Sequence, residues 1–265
     1  MKYKLFSTSL PGIKYAQKGL ECQDHAGNAE IKDIQIVAVA DGHGSSDCFR
    51  SEIGSYLAVE TAIKEGLTWL KGKGNVFSEV GIKQFKYNLW QAWRSAVKAD
   101  WEEHSRLADY LGQNEKRYES VSDKYKERYT SSSPEVQEEY LYTAYGTTLL
   151  CAISIGTQIL LLQIGDGTCV VLQKNGLFTT PVPAEENNFL NVTTSLCEAD
   201  ADKKMRHVVL DCNIIHPTLP LAVFLSSDGL DDCFPYWKNE EHLFKLYKLL
   251  GTSKFQRFVQ IIFIN

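Results

Sequence analysis

Two stretches of the chain run from an apolar segment directly into Asp-Gly: Val37-Ala38-Val39-Ala40-Asp41-Gly42 and Val223-Phe224-Leu225-Ser226-Ser227-Asp228-Gly229. A carboxylate at the end of a buried strand is fixed by that strand yet reaches solvent at the sheet edge. The glycine after it lets the backbone turn sharply and leaves its carbonyl accessible. Two such carboxylates on neighbouring strands would converge and repel, and a hard divalent cation with oxygen ligands resolves that repulsion. The alternative is that Asp-Gly only makes a hairpin turn, which suffices for one such pair taken singly. It is also the reading for Gly165-Asp166-Gly167, where no neighbouring polar residue suggests chemistry. A further acid, Asp24 in Cys22-Gln23-Asp24-His25, precedes the Asp41 strand, and His43 follows Asp41-Gly42 directly. Directly after Asp41-Gly42 it is a candidate functional residue; the alternative is a plain surface histidine.

The elements that would position these residues are legible from pattern. Tyr3 to Ser9 reads as a strand ending at the Pro11-Gly12 turn. Ile34 to Ala40 is nearly continuous in apolar and β-branched residues, which suits a strand covered on both faces. After His43 a helix is expected, capped by Ser45 or Ser46. It carries Phe49, Ile53, Leu57, Ile63, Leu67 and Leu70 and ends at Gly72 and Gly74. A second helix carries Ile82, Phe85, Leu89, Trp93, Val97 and Trp101 on one stripe. Residues 101–143 are rich in charge and read as a solvated helical excursion broken near Ser131-Ser132-Ser133-Pro134: a surface insertion, with a substrate-gating flap as the functional alternative. Short strands follow at Thr148–Ile155, Ile159–Ile164, Cys169–Gln173, His207–Leu210 and Leu221–Leu225, with turns at Gly156-Thr157 and Gly165-Asp166-Gly167. This order gives an α+β fold, with helices packed on sheets built mainly from hairpins.

Composition narrows the function. The formal charge is −5, from 28 Lys and Arg against 33 Asp and Glu, which lacks the basic excess of a general nucleic-acid binder. No apolar run approaches the roughly 18 residues of a membrane span, and the N-terminus lacks the long apolar core of a signal peptide. The 7 cysteines form no Cys-x-x-Cys pair, so neither a zinc knuckle nor a disulfide framework is supported. Reduced, mostly buried thiols in a cytoplasmic protein are expected. The chain also has no His-Cys-x5-Arg loop, Gly-x-Ser-x-Gly elbow, Walker A motif or His-Glu-x-x-His.

Five pieces stand in order: Gln23-Asp24, Val39-Ala40-Asp41-Gly42-His43-Gly44, Tyr145-Gly146-Thr147-Thr148, Gln163-Ile164-Gly165-Asp166-Gly167 and Leu225-Ser226-Ser227-Asp228-Gly229. Together they resemble the metal-dependent serine/threonine phosphatases of the PP2C type (PPM family). Gly19 to Asp24 and Gly165-Asp166-Gly167 are similar to a bacterial subgroup of it. The resemblance implies a single domain over residues 1–265 with a four-layer α-β-β-α sandwich, in which two mainly antiparallel sheets are flanked by helices. It implies two Mn²⁺ or Mg²⁺ ions at one end, with Asp41 bridging them. The Gly42 carbonyl would hold one ion and Asp228 the other, while Asp24 would hold metal-bound water or the metal. His43 would be the general acid, and a water bridging the ions would attack phosphorus in line. The implied partners are a phosphoprotein substrate and a Ser/Thr kinase, with a monomeric chain and neither nucleic acid nor membrane.

The chain departs from that pattern in several places. Gln23 stands where many members carry Glu, and an amide is a weaker metal ligand than a carboxylate. The family's phosphate-binding Arg has no counterpart, leaving Lys14 and Lys18 as nearby cations without the bidentate fork. Leu141 to Tyr145 lacks the Asp that some members use for a further metal. The family's closing Asp turn is also missing: the last acids are Glu240 and Glu241, and the apolar tail Phe255 to Asn265 reads as a chain cut short, out of frame or naturally unusual. Weak metal binding and weak catalysis are therefore expected. Two other readings stay open: a catalytically silent phosphatase-like binding module, and a hydrolase of small phosphoesters.

Overall fold

The computed structural model describes residues 3–12, 16–17, 21–71, 77–103, 119–131, 133–183, 193–212, 220–229, 235 and 238–251. The chain opens with the hairpin β1 (His25–Ile31) and β2 (Ile34–Ala40), followed by the long helices α1 (Ser51–Leu70) and α2 (Glu79–Glu103). Two shorter helices come next, α3 (Asp123–Tyr129) and α4 (Pro134–Ala144). The strands β3 (Leu149–Ile155), β4 (Gln158–Ile164), β5 (Thr168–Gln173) and β6 (Phe178–Thr179) then run consecutively. The one-turn helix α5 (Ala201–Lys204), β7 (Arg206–Asp211), β8 (Pro220–Ser226) and α6 (Asn239–Gly251) complete the described elements. One antiparallel sheet has the order β1-β2-β3-β4-β7 and the other β6-β5-β8.

Strand alternation builds the layers. In the first sheet, Ile36, Ala38, Cys151, Ile153, Leu160 and Leu162 face a core shared with the helical layer, including Ala58, Ala62, Phe85 and Trp93. Their neighbours Val37, Val39, Leu150, Ala152 and Leu161 point the other way and meet Val171, Val223 and Leu225 of the second sheet. The opposite face of that sheet, with Val170, Leu172, Ala222 and Phe224, is covered by Leu243 of α6. Because side chains alternate with period two along a strand, each of these strands serves two cores. Three successive cores define four layers, α-β-β-α.

Several expectations need correction. Tyr3 to Ser9 is not a strand: the Tyr3 N–H donates to Gln35 Oε1 (2.8 Å), and Gln35 Nε2 donates back to the Tyr3 carbonyl (2.5 Å). A side-chain amide therefore takes the place of a ladder partner. The helix expected after His43 starts later, at Ser51, with Arg50 at its cap and no side-chain cap bond. Residues 45–50 are held instead by local turns and by Arg50 N–H donating to the Ala144 carbonyl (2.8 Å). The most buried face of α1 is small, with Gly54, Ser55, Ala58, Ala62 and Gly66. The larger Ile53, Leu57, Ile63 and Leu67 pack along its flanks only partly buried. Small side chains let this helix approach the sheet closely, so the apolar stripe, of which Phe49 and Leu70 are buried in the core, otherwise marks the flanks of the contact rather than its centre. The charged excursion is not simply solvated, since Val121, Tyr129, Leu141 and Tyr142 are buried in the helical core. Strand β1 was not expected, and its mixed sequence HAGNAEI explains why. Gly72, Gly74, Cys233, residues 104–118 and the tail Phe255 to Asn265 lie outside the described residues. Among the described residues no helix is long and apolar enough to cross a membrane.

Candidate active site

At one end of the sandwich a cavity of about 460 Å³ is lined by Asp24, Asp41, Gly42, His43, Asp166 and Asp228, among others. Three elements converge there. Asp41 follows β2 of the first sheet, Asp24 leads into β1, and Asp228 follows β8 in the second sheet. Asp41 and Asp228 thus meet across the sandwich rather than on neighbouring strands of one sheet, as the sequence reading had it.

The Asp41-Gly42-His43 backbone is gripped by the Gly146-Thr147-Thr148 motif. Asp41 N–H donates to Thr148 Oγ1 (3.0 Å), while Thr148 N–H and Thr147 Oγ1 both donate to the Asp41 carbonyl (2.9 Å each). The His43 N–H donates to the Gly146 carbonyl (3.0 Å). Across a trans peptide the carbonyl opposes the N–H, so this bond turns the Gly42 carbonyl to the other side. Glycine is required at position 42 by close approach: a Cβ there would sit 2.6 Å from both the Gln23 and Ser51 carbonyl oxygens. Ser195 Oγ accepts from Thr147 N–H (3.1 Å) and so holds the gripping motif itself.

The electrostatics suit a cation. Burial, then the Asp24 and Asp228 carboxylates, push the Asp41 carboxyl up to about 10. Ser227 Oγ donates to Asp24 Oδ2 (2.7 Å), so the residue before Asp228 also orients Asp24. Three acids and a backbone carbonyl on one polar cavity form an oxygen-donor set that fits Mn²⁺ or Mg²⁺. Among the described residues no three His, Cys, Asp or Glu side chains already form a closed ligand group. Ions would therefore have to draw the acids together or keep water ligands. Burial lowers the pKa of the His43 imidazole, while the Asp166, Glu198 and Asp228 carboxylates pull it back up.

Asp24, Asp41, Gly42, His43 and Asp228 are brought together as the sequence suggested. Lys14 and Lys18 lie outside the described residues, and among the described residues lining the cavity there is no Lys or Arg. Asp166 needs correction: it lines the cavity and accepts a hydrogen bond from Thr193 Oγ1 (2.5 Å), so it is more than a bare turn. Its polar neighbour lies far along the chain, where local reading could not find it. The two flanking glycines were the available signal, since Gly165 adopts φ +99° and turns the chain at the cavity. Pro11, Gly12 and Cys22 also line the cavity, and nothing in their types announced it. Gln23, which stands where the resemblance expects Glu, also lines the cavity. Its Nε2 donates to the His43 carbonyl (3.0 Å) and to Ser51 Oγ (2.6 Å).

The architecture is thus a four-layer sandwich with an acidic, histidine-bearing cavity at one end. The family model described as Protein phosphatase 2C matches residues 12–260, and the chain belongs to that family. No curated protein matches the sequence. Among solved structures, a C. elegans sex determining protein is 15% identical, covering 88% of this chain and 53% of that one, with a TM-score of 0.52. The serine/threonine phosphatase Stp1 from Staphylococcus aureus is 13% identical, covering 88% and 85%, with a TM-score of 0.49. The catalytic domain of the serine/threonine protein phosphatase PstP, solved with 2 manganese ions, is 14% identical, covering 88% and 87%, with a TM-score of 0.43. At these identities the likeness concerns the fold.

Proposed function

We propose that this chain hydrolyses phosphoserine and phosphothreonine on proteins, using two Mn²⁺ or Mg²⁺ ions. The observation that carries the reading is the convergence of Asp24, Asp41, the Gly42 backbone and Asp228 on one cavity beside His43. Family membership supports the same reaction class. Asp41, crowded by both other acids, would bridge the ions. The Gly42 carbonyl would hold one and Asp228 the other, with Asp24 oriented by Ser227 on the side of the first. Bound ions supply positive charge for the phosphoryl oxygens and lower the pKa of water, so hydrolysis needs no covalent enzyme intermediate. His43, seated on Gly146 by its backbone hydrogen bond, would give a proton to the departing serine or threonine oxygen. Lys14 and Lys18 are proposed as the cations that meet the substrate phosphate. A phosphoprotein, and a kinase that makes it, are the proposed partners of a monomeric cytoplasmic enzyme.

A second reading, a phosphatase-like binding module without turnover, is favoured by one observation: the carboxylates do not form a closed ligand group among the described residues. Phosphate release from a phosphopeptide and from an aryl phosphate, each with and without Mn²⁺, separates the readings. Mn²⁺-dependent release from the peptide supports the phosphatase. Release from the aryl phosphate alone points to a small-molecule hydrolase, and phosphopeptide binding without release points to the module.

A further inference from the structure

We propose that Gln23 is a positioning residue whose side-chain amide aims the Gly42 carbonyl and seats His43, rather than a weak metal ligand standing in for Glu. This rests on the phosphatase reading of the same site. Gln23 reaches the loop from two directions. Its backbone carbonyl accepts from Gly42 N–H (3.1 Å), and its side-chain Nε2 donates to the His43 carbonyl (3.0 Å). The peptide carrying the Gly42 carbonyl lies between those two contacts, and its own N–H is already fixed on Gly146. Nε2 also donates to Ser51 Oγ (2.6 Å), and Ser55 Oγ donates to the Gln23 carbonyl (2.5 Å), so the clamp is anchored to the first turns of α1. Gln23 is 9% exposed, and a buried amide used in this way is held in one orientation.

The chemistry requires a donor. The His43 carbonyl can only accept, and an ionised carboxylate can only accept, so a Glu at this position would set two acceptors against each other. Two accounts therefore predict opposite signs for Gln23→Glu. If residue 23 acts as a ligand or as a nearby charge, an added carboxylate tightens cation binding through Coulomb attraction. If it acts as a clamp, losing the donor moves the Gly42–His43 peptide and weakens binding despite the added charge. Partners that orient metal ligands typically contribute 10–100-fold in affinity or activity.

The test compares wild type, Gln23→Glu and Gln23→Met, the last keeping length without a donor. Mn²⁺ affinity is measured by calorimetry well below the melting temperature of each, with Tm and the kcat values on phosphopeptide and aryl phosphate alongside. The expected result is a Kd for Mn²⁺ raised roughly 10–100-fold in both variants, with the phosphopeptide kcat falling further than the aryl phosphate kcat because His43 has moved. Tighter or unchanged Mn²⁺ binding in Gln23→Glu overturns the proposal. So does a lower Tm in both variants with an unmoved Kd, since that is a purely structural role. A wild-type chain that binds no Mn²⁺ removes the metal reading of the site, and this proposal with it.

Discussion

Gly146→Ala isolates His43 from the carboxylates. A Cβ at position 146 would lie 2.7 Å from His43 Cδ2, 3.0 Å from Cys48 Sγ and 3.3 Å from the Thr143 carbonyl oxygen. Carbon atoms pack at about 3.5–4.0 Å, so the imidazole has to retreat by about 1 Å. Cys48 is buried and the Thr143 carbonyl is backbone, so the ring on the cavity wall is the group that yields. A displacement of about 1 Å in a reacting group costs on the order of 10²-fold in rate. The phosphopeptide kcat should fall by that factor. An aryl phosphate, whose leaving group needs little protonation, should keep most of its rate. The three heavy atoms nearest the new methyl group include none from Asp24, Asp41 or Asp228, so the Kd for Mn²⁺ should not move. Overpacking should cost about 1–3 kcal/mol, a fall in Tm of roughly 2–12 °C. Steady-state kinetics on both substrates and a Mn²⁺ titration decide the matter. Equal losses on the two substrates, or a weakened Mn²⁺ site with His43 chemistry intact, would refute the placement of His43 as the proton donor.

Three further outcomes follow from the same geometry. His43→Ala should slow phosphopeptide turnover by about 10²–10⁴-fold and aryl phosphate turnover far less; equal losses would make His43 structural. Ser227→Ala removes the hydroxyl that holds Asp24 Oδ2 and should weaken Mn²⁺ by roughly 10–100-fold, read by calorimetry; an unchanged Kd would show that Asp24 needs no such support. Arg50 is fully buried, donates to Tyr145 OH (2.6 Å), lies 3.8 Å from Asp100 Oδ2 and stacks over Trp101. Arg50→Met should therefore cost about 3–5 kcal/mol in urea unfolding, and a loss no larger than that of a surface substitution would contradict its role as a clamp between helices.

The legible parts of this protein were those set by local pattern. The strand periodicity of residues 148–173 and 221–225 carried an α+β fold of hairpin-built sheets, the sandwich itself being what the family resemblance implied, and the stripe from Ile82 to Trp101 carried α2, all of whose predicted residues are buried. Asp41 and Asp228 stood out because two apolar strands each run into Asp-Gly, and Asp24 joined them through the motif order that carries the family resemblance. The rest depended on contacts distant in sequence. Asp166 looked inert because its partner Thr193 comes from another stretch of chain. The contacts of Gln23 were out of view in the sequence because its acceptors, His43 and Ser51, are 20 and 28 residues away. The role of α1 was hidden because helical periodicity ranks side chains by apolarity, whereas this helix is set by how small its buried side chains are. Gly146-Thr147-Thr148 was recognised as a motif, yet only the structure shows that it grips the Asp41 backbone.

The most direct test of the central claim is a calorimetric Mn²⁺ titration of wild type and Asp41→Asn, with a thermal melt of each in the presence and absence of metal. Asp41 is buried against Asp24 and Asp228, which raise the energy of its charged form. Without metal, Asp41→Asn should therefore melt above wild type at neutral pH, because folding no longer has to protonate a carboxylate that is ionised in the unfolded chain. With Mn²⁺ the order should reverse: wild type gains stability by mass action, while the variant binds little and gains little. Unchanged Mn²⁺ stoichiometry and affinity in Asp41→Asn, or a wild-type chain that neither binds nor is stabilised by Mn²⁺, would contradict the assignment of this cavity as the metal centre.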